Sequence, residues 1–431
     1  MSLRPLAPTP PMGWNTFDAY GCAINEQEFK ANAEVLAEKL LPYGYRYAVV
    51  DSLWWMEEAD AIDSLSPPKS PPHMDDYGRF IPCPHRFGSC TGSSLRPLAD
   101  WVHAQGLKFG IQIIRGIPRL AVQRRLPIFG ASATAADVAD PANTSEWDVN
   151  FYGMNFAHRG AQAYYDSILA LYAAWGLDLL KADDMCIPYY AQDIDALFSA
   201  VERCGRPIVL SLAPGVWIDE MQRAWPHVSQ RSEMWRITWD MWDNWPSVRQ
   251  LFMFCSIWAG AIGPNSWPDA DMLPYGKLNL KHPKCPGGRW TNLTREEIRT
   301  HFTLLCVARS PLMIGADLLS LDDFTLAMLT NTELLDVNQN STQNRCPWLN
   351  VHGIWAWIAR MADGDMILAM FNLADEPQSF HVPLSWLRVG AGRWACRDLW
   401  ERKDLAPIRD VAAGSLQPHA SVVYRLRKQA D

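Results

Sequence analysis

With 431 residues, 48% of them hydrophobic, the chain can bury a barrel-sized core and still have material for a second domain. A net charge of −8, with Arg and Lys scattered singly apart from pairs such as Arg124-Arg125, argues against a nucleic-acid partner. No apolar run approaches the roughly 20 residues that span a bilayer, so no membrane partner is expected either. The 10 cysteines show neither CxxC pairs nor zinc spacing, and Met1–Pro8 has no apolar leader core. These features point to a reduced, cytoplasmic setting; a native leader trimmed from the amino end would make the protein an exported one.

From residue 10 to about 325, short apolar runs alternate with stretches of helical periodicity. Strands are expected at Met12–Asn15, Tyr47–Asp51, Phe109–Ile113, Leu177–Asp183, Ile208–Leu212, Met234–Ile237, Ile262–Asn265 and Pro311–Ile314. Helices are expected at Glu26–Leu41, Leu95–Gln105, Gly160–Trp175, Asp193–Arg203 and Arg295–Arg309. Thr294 and Glu297 have capping-box spacing at the start of the last. Ser64–Pro72, with four prolines, and Ser89–Ser94 read as loop insertions. Eight strand–helix units predict a (β/α)8 TIM barrel over residues 1–330. The strands end on polar residues (Asn15, Asp51, Gln112, Asp183, Ser211, Arg236), and those ends are where a barrel assembles its active site. Further strands at Ile354–Ala359, Asp365–Asn372 and Ser421–Leu426 are separated by turn material at Ala362–Asp365 and Ala412–Ser415. They predict an antiparallel β-sandwich domain over 331–431.

Two segments carry the chemistry. In Leu180-Lys181-Ala182-Asp183, strand alternation points Lys181 and Asp183 to one side, and an Asp beside a Lys stays ionised. In Trp235-Arg236-Ile237-Thr238-Trp239-Asp240, the aromatic setting of Trp235, Trp239 and Trp242 is expected to raise the carboxyl pKa of Asp240. One charged and one protonated carboxyl is the division of labour that glycoside hydrolysis requires. Asp243 and Glu233 are rivals to Asp240, and Asp184 reads as a residue that orients the nucleophile. Asp51, at the end of an apolar strand, needs a ligand or a partner. The 21 tryptophans exceed what a core requires and suit the apolar faces of sugars.

Five segments in order then give a resemblance. They are Thr9-Pro10-Pro11-Met12-Gly13-Trp14-Asn15, Asp75–Arg79 with Leu95–Gly110, Trp267–Leu273, Arg309–Leu318 and Val337–Asn340. Together with Lys181-x-Asp183 and Trp235-Arg236-x-x-x-Asp240 they resemble, almost end to end, the retaining glycoside hydrolases of family 27. This is the α-galactosidase and α-N-acetylgalactosaminidase group, and the chain looks like a divergent bacterial-type member. The resemblance implies Asp183 as nucleophile and Asp240 as acid/base, with Asp51, Lys181, Arg236 and Asp271 on sugar hydroxyls. Trp14 and Gln112 are further candidate substrate contacts. It implies a carbohydrate substrate and no cofactor or metal, and it leaves a homo-oligomer open.

The departures from the family pattern lie in the sugar-reading shell. α-Galactosidases of the family carry two adjacent acids after strand two, where this chain has Asp51-Ser52. Gln112 stands for a tyrosine, Phe17 for a tryptophan, Ala213 for a glutamate and Met185 for a disulfide-forming cysteine. The expected activity is hydrolysis of terminal α-galactoside-like bonds, with β-L-arabinopyranosides and isomaltose-type α-glucosides as alternatives. A non-catalytic sugar-binding relative would first lose its carboxyls, and both are present. A metal-dependent barrel of the enolase type needs acids at successive strand ends, which Ser211 and Arg236 do not supply.

Overall fold

The computed structural model describes residues 6–58, 70–90, 92–145, 148–213, 215, 218–349 and 353–429. Most of the loop expected over Ser64–Pro72 lies outside them. Eight parallel strands form the barrel: β1 (Met12–Asn15), β2 (Tyr47–Val50), β3 (Lys108–Ile114) and β4 (Leu179–Asp183), then β5 (Val209–Leu212), β6 (Met234–Arg236), β7 (Trp267–Asp269) and β8 (Leu312–Ile314). Neighbours in space follow chain order, with β8 returning to pair with β1. The ring closes just past β7, where Leu273 bridges Ile314 and its N–H donates to the Met313 carbonyl.

Seven of the eight strands lie where the sequence predicts them. The seventh does not: the apolar run Ile262–Asn265 is a turn, and the strand is Trp267–Asp269. Pro268 makes that segment read as loop. It is nevertheless held in the ring by Trp267, whose indole donates to the Ala7 carbonyl, and by its pairing with β6. Between β3 and β4 a small three-stranded sheet (Ile117–Pro118, Ala139–Thr144, Phe151–Met154) adds a wall that no periodicity announced.

Strand alternation divides the barrel into two faces. Tyr47, Val49, Leu179, Val209, Met234, Trp267 and Met313 form a separate apolar cluster with Ala7, filling the interior. The alternate residues, among them Met12, Trp14, Ala48, Val50, Phe109, Leu180 and Trp235, belong to the larger core shared with the helices. Trp14 is therefore on the outward face. Its ring packs against Phe29 and Tyr20 and its N–H donates to the Ala316 carbonyl, so it cannot serve as the substrate contact expected of it.

The expected division at 330 falls between the helices Asp323–Leu329 and Thr332–Asn340. The second of these is tied to the barrel. Arg309 donates to the carbonyls of Asn338, Gln339 and Ser341, and Asn338 donates to those of Leu305 and Ser310. The motif residues Arg309 and Asn338 thus form a structural joint.

The sandwich follows as β9 (Thr342–Leu349), β10 (Ile354–Arg360), β11 (Met366–Asn372), β12 (Gln378–Pro383), β13 (Arg393–Asp398), β14 (Lys403–Arg409), β15 (Val411–Leu416) and β16 (Ser421–Lys428). A six-stranded sheet ordered β9-β10-β11-β16-β13-β14 faces the pair β12-β15. Ala412–Ser415, expected to be a turn, pairs with β12 within β15. One face of the large sheet (Trp357, Ile367, Phe371, Val423) joins the barrel's core, and His419 stacks on Trp245 at 3.9 Å.

Candidate active site

A pocket at the carboxyl ends of the strands is lined by Phe17, Asp18, Cys22, Asp51, Ser52, Ile114, Lys181, Asp183, Arg236, Asp240, Met241, Trp242, Asp271 and Met272. Its floor is two linked charge systems. In the first, Lys181 Nζ lies 2.8 Å from Asp51 Oδ2 and 3.7 Å from Asp183 Oδ2. Asp51 also accepts from Asn15 Nδ2 at 2.7 Å and from the Ser52 amide at 2.8 Å. Burial alone would raise its pKa, but Lys181, Asn15 and Ser52 outweigh that, and the net direction is down. Asp183 accepts a 2.6 Å bond from Gln112 Nε2.

Lys181 does pull the Asp183 pKa down, as expected, but burial and the nearby charges of Asp51 and Asp240 prevail and the net direction is up. Lys181 sits closer to Asp51 than to Asp183. Gln112 is wholly buried and its amide nitrogen is committed to Asp183, so it holds that carboxylate in place.

In the second system Arg236 is the centre. Its Nη2 lies 2.7 Å from Asp271 Oδ2 and 3.3 Å from Asp240 Oδ1. Asp271 also accepts from the Met241 amide at 2.6 Å. Asp271 adopts φ +77°, a left-handed backbone that a non-glycine residue holds only when its surroundings impose it. Burial raises its pKa to about 6 against the pull of Arg236. The Asp240 side chain is 56% exposed at the mouth of the pocket. Of the tryptophans expected around it, Trp235 lies in the core shared with the helices, and Trp242, which lines the same pocket, is itself exposed, so they do not shut Asp240 off from solvent.

The rivals are committed elsewhere. Asp243 is buried under Arg289 in a two-pronged pair at 2.5 and 2.8 Å and accepts the Asn292 amide. Glu233 accepts the Leu210 amide before β6 begins, away from the pocket. Asp184, at φ +63°, turns back to a buried Arg115 at 3.0 Å, which in turn stacks over Tyr190 at 3.5 Å. This network fixes the turn after Asp183. The sequence hinted at Asp184 but not at its partner.

Asp18 was missed altogether. It lines the pocket with Oδ2 buried and without a hydrogen-bond partner, and burial together with Asp271 and Asp240 raises its pKa well above the usual range. Gly315 makes room for it, because a Cβ there would lie 2.0 Å from Asp18 Oδ2.

Residues 147–340 match the family model described as Alpha galactosidase A, and residues 351–426 match the Alpha galactosidase C-terminal beta sandwich domain. A GH27 β-L-arabinopyranosidase from Geobacillus stearothermophilus is 40% identical with a TM-score of 0.93, over 99% of this chain and 97% of that one. The chain belongs to glycoside hydrolase family 27. A putative α-N-acetylgalactosaminidase from Bacillus halodurans C-125 is 36% identical with a TM-score of 0.87, over 98% of both chains. The α-galactosidase of Cyamopsis tetragonoloba is 26% identical over 98% of this chain and 87% of its own length. Family 27 membership makes the chain a glycoside hydrolase.

Proposed function

We propose that this family 27 chain is a retaining exo-glycosidase for terminal galacto-configured pyranosides, with Asp183 as nucleophile and Asp240 as acid/base. The observation that carries this reading is the contrast between two carboxyls lining one pocket. Asp183 is partly buried, its side chain 21% exposed, and held by Gln112 and Lys181, whereas Asp240 is 56% exposed at the mouth where a leaving group departs. In the first step Asp183 attacks the anomeric carbon while Asp240 gives a proton to the departing glycosidic oxygen. In the second, Asp240 takes a proton from water, and the water oxygen displaces Asp183 with net retention. Asp51, Lys181, Arg236 and Asp271 present charge to the ring hydroxyls of the sugar.

Within that class we favour β-L-arabinopyranosides over α-galactosides. The two sugars share ring stereochemistry and differ by the hydroxymethyl group on C5, so one set of ring contacts serves both. Ser52 has a neutral hydroxyl, 3.2 Å from Asp51 Oδ1, where α-galactosidases have a second acid. The 40% identical β-L-arabinopyranosidase from Geobacillus stearothermophilus supports the same choice. A panel of nitrophenyl glycosides tests it. Higher kcat/KM on β-L-arabinopyranoside than on α-galactoside is expected, and the reverse order would return the chain to the α-galactosidases. Ser52→Asp should raise the galactoside rate relative to the arabinoside rate; no change in that ratio would mean position 52 does not read the sugar.

A further inference from the structure

Outside the pocket, four side chains that the proposed mechanism does not use converge on the segment after β2. The Glu57 carboxylate receives His73 Nε2 at 3.1 Å and Cys83 Sγ at 3.3 Å on Oε2, and His85 Nδ1 on Oε1. The donor atoms of Glu57, His73 and Cys83 all lie within 4.8 Å of one another. Main-chain bonds fix these positions. The His73 amide donates to the Trp55 carbonyl at 2.9 Å and the Cys83 amide to the Trp54 carbonyl at 3.2 Å. Trp55 is itself stacked on Phe80 at 4.2 Å inside the core. Met74 bridges Phe80, so His73 and Cys83 flank the two arms of a hairpin.

The separations of His73 Nε2 and Cys83 Sγ from Glu57 Oε2, 3.1 and 3.3 Å, are close to those a tetrahedral ion imposes. Bonds of about 2.0–2.3 Å at tetrahedral angles put ligand atoms roughly 3.3–3.8 Å apart. A thiol, an imidazole and a carboxylate oxygen meet at one point, and a second imidazole, that of His85, stands on the carboxylate's other oxygen, within reach of a fourth position. That donor set, one sulfur, two nitrogens and one oxygen, suits Zn²⁺ and disfavours Mg²⁺ and Ca²⁺, which take oxygen.

We propose that Glu57, His73, Cys83 and His85 form a structural zinc site. Four protein ligands close the coordination sphere, so the ion has no open position for chemistry. Its effect is on the pocket wall. Arg86, next to His85, donates to the carbonyls of Leu53 and Met56 on one side and of Cys22 and Ile24 on the other. Asp51, Ser52 and Cys22 of the pocket belong to those two stretches. The ion would lock the hairpin that braces them. No ligand spacing in the sequence suggested this, because Glu57 stands 16 residues before His73 and 26 before Cys83.

The test uses the full chain, stripped with a chelator and titrated with Co²⁺ and then Zn²⁺. One Co²⁺ per chain with a thiolate-to-cobalt charge-transfer band is expected, displaced by Zn²⁺, with a higher unfolding midpoint for the zinc form than for the stripped form. Cys83→Ser should abolish the band. His85→Ala, at an exposed rim ligand that disturbs no packing, should weaken zinc binding by more than the ~10–100-fold cost of losing an outer partner. Absence of stoichiometric binding, a band that survives Cys83→Ser, or unchanged zinc affinity in His85→Ala would overturn the site. A fall in turnover on stripping with no fall in the midpoint would overturn its structural role.

Discussion

The two halves of the barrel interior are built on the same eight strands and follow opposite rules. Below, Tyr47, Val49, Leu179, Val209, Met234, Trp267 and Met313 close into an apolar plug with Ala7. Two or four residues further along the same strands stand Asp51, Lys181, Asp183, Arg236 and Asp269. There the polar atoms are incompletely matched: Gln112 Oε1, Arg236 Nε and Asp18 Oδ2 are buried without a partner. Burying polar groups without partners costs free energy, and the lower half together with the helix layer supplies the stability to offset it. Substitutions should therefore separate cleanly: above, they change rate with little loss of stability; below, they change stability with little loss of rate.

The largest effect is expected from Asp183→Asn. The shape is kept and the anionic nucleophile is lost, so kcat should fall by several orders of magnitude with substrate affinity largely retained. Thermal stability should hold or rise, because a carboxyl whose charged form is disfavoured, on balance, by desolvation and by Asp51 and Asp240 is removed. A variant that retains turnover would displace Asp183 from its role. Asp240→Ala should cost less, and unequally. Glycosides with good leaving groups such as dinitrophenol need little protonation and should suffer least, alkyl glycosides most. If the loss were equal across leaving groups, and Asp243→Ala showed the graded response instead, the acid would be Asp243 despite its pairing with Arg289. In the lower half, Trp267→Ala removes a fully buried indole and its bond to Ala7, and should lower stability by about 3–5 kcal/mol. At a temperature where the variant remains folded, kcat should stay within a few-fold of the parent; a collapse of kcat in the folded variant would break the division between the halves.

What could be read from the sequence follows the same division. Strand alternation and apolar runs located seven barrel strands and the polar ends that gather Asp51, Lys181, Asp183 and Arg236 into one pocket. Contacts between distant segments were not legible. Trp267–Asp269 is three residues long, contains Pro268, and becomes a strand only because β6 and Ala7 hold it. Trp14 sits in a recognisable motif, but its parity on β1 turns it outward, and parity becomes certain only when the neighbouring strands are fixed. Arg115 pairs with Asp184 across 69 residues, and Asp18 owes its place to the missing side chain of Gly315. The carboxyl assigned a raised pKa from its aromatic neighbours, Asp240, is open to solvent, whereas the one assigned a lowered pKa, Asp183, is the more enclosed of the two. Counting charges near a residue in sequence does not weigh desolvation, which three-dimensional burial decides.

Gln112 gives the finest test, because it sits at the junction of the two halves and acts only through another residue. Its amide nitrogen donates 2.6 Å to Asp183 Oδ2, and a hydrogen bond to the charged form of a carboxyl lowers its pKa. Gln112→Leu removes that bond at nearly constant volume, leaving burial and the Asp51 charge less opposed. The Asp183 pKa should therefore rise further. The nucleophile must be ionised in the free enzyme, so the acid limb of the kcat/KM profile, already expected above the ordinary Asp value of about 3.9, should move toward higher pH. At alkaline pH, where Asp183 is ionised in both proteins, the remaining loss measures only the misplacement of the carboxylate. Gln112→Glu introduces a like charge at the same position and should move the limb further in the same direction. A drop in rate with no movement of the limb in either variant would mean that Gln112 touches the sugar after all, and does not hold the nucleophile.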